Sequence, residues 1–167
     1  MIGTKVNESG VVDKIIKFDE FKNFYNTEWK RLKEDGKSIC WYINPACKAY
    51  AAQGFYLANG KLKPWIQLCA LPETPDDAFL TAHEIEHVIM WFEGQYLDIK
   101  VNPKIEGCFE DGAINDLAYK LGSMFDDPLV DRFLQKEYHF NLVRRYSEFV
   151  IPNTKESLNS CGDSEYD

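Results

Sequence analysis

Histidine is scarce in this chain, with three copies in 167 residues, and positive charge is outnumbered: 19 Lys and Arg stand against 27 Asp and Glu, for a net charge of −8. Phosphate backbones are gripped by clustered Lys and Arg, and the one Arg pair, Arg144-Arg145, stands isolated. That argues against nucleic acid as a partner and against an anionic membrane surface. No apolar run approaches the roughly eighteen residues that span a bilayer, and no N-terminal apolar run resembles a signal peptide. The five cysteines (Cys40, Cys47, Cys69, Cys108, Cys161) form no C-x-x-C pair and are odd in number. Reduced thiols in a cytoplasmic protein are therefore expected, with Cys40 and Cys69 as small buried hydrophobes rather than ligands of a Cys-rich structural zinc site.

What the chain does have is 45% apolar and 14% aromatic residues, enough to fill one sizeable core. The expected organisation is a polar, mobile stretch at 1–10, one domain over 11–151, and an acidic, disordered tail at 152–167. Residues 11–18 read as a short strand. Asp19 then opens a helix whose stripe, Phe21, Tyr25, Trp29 and Leu32, stops at Asp35-Gly36. Between Ser38 and Leu71 the texture becomes that of strands, with Asn59-Gly60 as a hairpin turn. Pro64 cannot donate to a ladder, so the strand over 62–71 is expected at a sheet edge, where an extended peptide could add around Ile66 to Leu71.

A helix is expected from about Asp76 to Phe92, apolar nearly all round and hence buried. It carries His83-Glu84-Ile85-Glu86-His87, an H-E-x-x-H pattern. Residues four apart stack on one helical face, so both imidazoles can meet one metal ion. Polar groups on so apolar a helix are costly unless they are paired or bound to metal. At about 100° per residue, Glu84 and Glu86 flank the two histidines almost symmetrically, and the wheel does not choose between them. Further on, Ile114, Leu117, Leu121 and Met124 form an inward face with Glu110 one turn before it. Asp127-Pro128 reads as an N-cap and first-turn pair starting another helix, which makes Asp126 and Asp127 caps rather than ligands.

An apparent edge strand, a helix bearing His83-Glu84-Ile85-Glu86-His87, and a later helix opening on an acid resemble the gluzincin type of zinc metallopeptidase over roughly residues 62–125. The resemblance implies a small α+β zincin-like domain, with a short antiparallel sheet on a buried active-site helix and further C-terminal helices. It also implies Zn2+ on His83, His87 and a downstream acid, with Glu84 as general base. Glu110 is the third ligand of choice, although the family's Glu-x-x-x-Asp pair is broken by Ile114. Glu106, Asp111, Asp116 and His139 remain alternatives, and His139 is also a candidate oxyanion donor with Tyr138. A metzincin would want Gly at 90, where this chain has Met90. The implied activity is hydrolysis of a peptide or protein substrate by metal-activated water. The alternative is a non-catalytic zincin-like domain that binds metal or acts through protein contacts.

Overall fold

Two spacings of apolar residues, one of two and one of three to four, build the two layers of the computed structural model, which describes residues 3–47, 50–95 and 113–142. The fold is α+β, as expected, with a four-stranded sheet against helices. The strands are β1 (Thr4–Val6), β2 (Cys40–Ile43), β3 (Ala51–Ala58) and β4 (Lys61–Leu68), in the order β1-β2-β4-β3. The sheet is mixed rather than antiparallel throughout, because β2 and β4 run parallel. Trp41, Ile66 and Gln53 stand in register across β2, β4 and β3, and Ile43, Leu68 and Ala51 form the next rung of the same face. That face meets the core, where Trp41, Ile66 and Leu68 are buried.

The hairpin turn is as expected. Asn59 (φ 52°) and Gly60 (φ 73°) are both left-handed, as a two-residue hairpin loop of the primed kind requires. The edge position of β4 is not: β4 is hydrogen-bonded to β2 on one side and to β3 on the other. Pro64 is tolerated there because pairing with β2 begins one residue later, at Trp65. Ile66 to Leu68 therefore offer no free edge to a peptide, and the outer strands are β1 and β3. Within β3, Gly54 is needed because a side chain would strike the Trp65 indole at 2.5 Å.

The other layer begins with α1 (Glu8–Ile15), where a strand was expected. Val11, Val12 and Ile15 are buried at helical spacing, and a run this short carries too few periods for the sequence to decide. Thr4 to Val6 ahead of it pair with β2, and Val6 packs against the core. Next, α2 (Asp19–Phe24), a π-helical turn (Tyr25–Trp29) and α3 (Lys30–Glu34) run on as one rod. The wider i→i+5 winding brings Phe24 and Trp29, five apart, onto one buried face. Glu8 ties α1 to this rod, accepting from the Tyr25 hydroxyl at 2.6 Å and the Trp29 indole at 3.1 Å.

The central helix α4 (Pro75–Phe92) follows β4 after a short loop. Its start is a capping box: Thr74 Oγ1 accepts from the Asp77 N–H at 3.1 Å, and Asp77 Oδ2 accepts from the Thr74 N–H at 2.9 Å. It ends at left-handed Gly94, with the Gln95 N–H on the Met90 carbonyl and the Gly94 N–H on the Trp91 carbonyl. α4 packs on β3, β4, α2 and a long helix, α5 (Ala113–Tyr138). α5 is one helix of 26 residues, so Asp127-Pro128 is interior and does not start a helix. An interior proline costs about 3 kcal/mol. Burial of Val130 and Leu134 on the following turns works against that cost. Met124, expected inward, is 70% exposed. Cys40, Cys47 and Cys69 are free and half-buried. Among the described residues, no helix is long and apolar enough to cross a membrane.

Candidate metal centre

The stacked histidines of α4 face α5. His83 and His87 are 4% and 5% exposed, with ring centroids 4.8 Å apart. Two acids of α5, again one turn apart, come up against them. Asp131 Oδ1 lies 2.7 Å from His83 Nδ1. Asp127 Oδ1 lies 3.1 Å from His87 Nε2 and 3.7 Å from His83 Nε2, while the two Nε2 atoms are 3.1 Å apart. Asp127 is the half-exposed member, so the cluster reaches solvent on its side.

The three atoms His83 Nε2, His87 Nε2 and Asp127 Oδ1 could hold a metal ion. Ligand atoms about 2.0–2.1 Å from a tetrahedral zinc stand about 3.3 Å from one another. The observed edges of 3.1, 3.1 and 3.7 Å bracket that value. Asp131 supplies the customary outer partner: a carboxylate accepting from His Nδ1–H fixes the tautomer and leaves the Nε2 lone pair for the ion. Two carboxylates facing two imidazoles also draw positive charge. Burial alone would lower the His83 pKa, but Asp127 and Asp131 overcome it and push the pKa up to about 9. Asp127 is held well below the ordinary carboxylate range; its own burial opposes this, and hydrogen bonds to His83 and His87 prevail. Two buried atoms nearby, His87 Nδ1 and Asp126 Oδ1, have no hydrogen-bond partner among the described residues.

The expected histidines are thus together, and the expected third ligand is not among the described residues. Glu110, Glu106 and Asp111 lie outside them, as does the side chain of Asp116. His139 joins no such cluster among the described residues. It ends α5 in the left-handed region (φ 62°), its N–H on the Gln135 carbonyl at 3.1 Å. Asp127 and Asp131, one read as a cap and the other given no role, are what sequence reasoning missed. The available signal was their spacing of four, the same as that of His83 and His87; placing a helix start at Asp127 hid it. Glu84 is half-buried and its charge acts on His83, whereas Glu86 is buried and lines a separate cavity that none of the three candidate ligands borders.

Compared with family models, curated proteins and solved structures, the chain matches none. The class rests on its own geometry: an α+β fold in which α4 and α5 bring together a His, His, Asp set that could hold a metal ion.

Proposed function

We propose that the protein is a zinc-dependent hydrolase of peptide bonds, with His83, His87 and Asp127 holding the ion. The observation that carries this reading is the triangle of two Nε2 atoms and one Oδ1, backed by Asp131 and open beside Asp127. The H-E-x-x-H resemblance supplies the peptide as substrate; the triangle supports the metal. Asp127 takes the place that the resemblance gave to Glu110. When bound, zinc supplies Lewis acidity and lowers the pKa of water from about 16 towards 7.

The chain's own residues do the rest. Asp131 accepts the His83 Nδ1 proton and keeps that ring in the tautomer whose Nε2 can donate a lone pair. Glu84 follows His83 directly and is only half-buried, so its carboxylate is the one to take a proton from water and pass it to the leaving amine. Glu86 is turned to the other cavity, which favours Glu84 where the helical wheel does not.

The test is the Glu84→Gln variant. It should keep one equivalent of zinc by elemental analysis and lose about a hundredfold or more in cleavage of a peptide library. An undiminished rate would sink the mechanism. Absence of stoichiometric zinc in the parent protein after reconstitution would sink the metal reading itself.

A further inference from the structure

Glu86 borders a cavity of about 380 Å³ between α4, the π-helical turn and α5, a size typical of small-ligand pockets. Glu28 and Glu93 also line it, with Met90, Leu129 and Phe133 as apolar walls. Two of the three carboxylates are answered. Arg31 Nη2 donates to Glu93 Oε1 at 2.6 Å and to Glu28 Oε2 at 3.3 Å, and the Tyr138 hydroxyl donates to Glu28 Oε1. Glu86 is 8% exposed, and its Oε2 is buried without a hydrogen-bond partner among the described residues.

A buried carboxylate oxygen left without a donor is costly, and native proteins rarely keep one. Ionised, Glu86 would add a third negative charge where one guanidinium already faces two. The missing group is therefore a cation with N–H donors. It is not a metal ion held by these acids, because among the described residues the atoms that converge closely enough are those of His83, His87 and Asp127. A larger cation fits, one whose apolar stem lies along Met90, Leu129 and Phe133 while its head reaches Glu86. We propose that this cavity binds a primary ammonium group at the end of an unbranched alkyl chain, with Glu86 as its anchor. A lysine side chain and a free alkyl amine share that chemistry. The site does not rest on the metal reading, and its test is run with and without zinc.

The experiment titrates the full chain, labelled at its methionine methyl groups, with n-butylamine, n-butanol and Nα-acetyl-lysine amide at neutral pH, followed by NMR. The amine should saturate and move the Met90 methyl signal, the alcohol should not, and Glu86→Gln should weaken amine binding about tenfold or more. Glu86→Met, of similar length, repeats the measurement should the glutamine variant fold poorly. Tighter binding of the lysine derivative than of butylamine assigns the site to polypeptide lysine, and the reverse order assigns it to a free amine. No saturation by either amine, equal binding of butanol, or unchanged affinity in both folded variants would overturn the proposal.

Discussion

His83 and Glu86 lie three residues apart on α4 and are similarly buried, at 4% and 8% exposed, yet they end in opposite electrostatic states. Burial works against the charge on both. At His83 the carboxylates of Asp127 and Asp131 overcome it, and the pKa is pushed up to about 9. At Glu86 burial itself pushes the pKa up to about 8, and Glu28 and Glu93 add to it. Similar depth thus leads to different outcomes: facing carboxylates overcome burial at His83, whereas burial prevails at Glu86, where nearby acids add to it.

The largest effect expected on this contrast is from Asp127→Ala, which removes a candidate ligand and should abolish stoichiometric zinc in equilibrium dialysis. Asp131→Asn, which alters only the group behind His83, should weaken zinc by about 10- to 100-fold and leave the stoichiometry intact. The other side of α4 should respond with the reverse sign. Glu86→Met replaces a carboxylate whose buried Oε2 has no hydrogen-bond partner among the described residues by an apolar side chain of similar length, and should raise the unfolding free energy of the ligand-free protein by about 1–3 kcal/mol in urea melts. Destabilisation there would mean that Glu86 is answered after all.

The smallest effect concerns the cap that both sides share. Thr74→Ala should cost about 1 kcal/mol of stability without altering zinc affinity relative to the folded protein. Its partner Asp77 adds a pH signature. Burial opposes its charge, but the Glu73 and Thr74 N–H groups and the Thr74 side chain outweigh that and lower its pKa from the ordinary 3.8. A carboxyl depressed in the folded state stabilises above its unfolded pKa and loses that contribution as pH falls through the folded value. The stability gap between the parent and Asp77→Asn should therefore be full at neutral pH and should shrink as pH falls below about 4.

Much of this was legible because the signals are local. The Asn59-Gly60 turn, the stop at Gly94 and the apolar surround of His83 and His87 each follow from a few adjacent residues. Strand order is set by partners far apart in sequence: nothing near Ile66 says that Trp41 will lie on one side and Gln53 on the other. A helix was likewise invisible at Glu8 to Ile15, where three buried residues satisfy more than one period. Asp127 was misread because proline is better tolerated at a helix start than inside one, and α5 goes against that preference. Where a chain breaks a local rule beside its polar cluster, function is a common reason.

Pro128 has one more consequence. It sits between Asp127 and Asp131 in α5, and it has no N–H to give the carbonyl of Met124. The acid that would touch the ion and the acid that orients His83 thus stand on opposite sides of the weakest rung in that helix. An ion gripped there works as a strap across the gap. Its withdrawal should be felt first as loosening of the turns before Pro128, well before the sheet gives way, and amide exchange measured with and without a chelator should show the order in which the two let go.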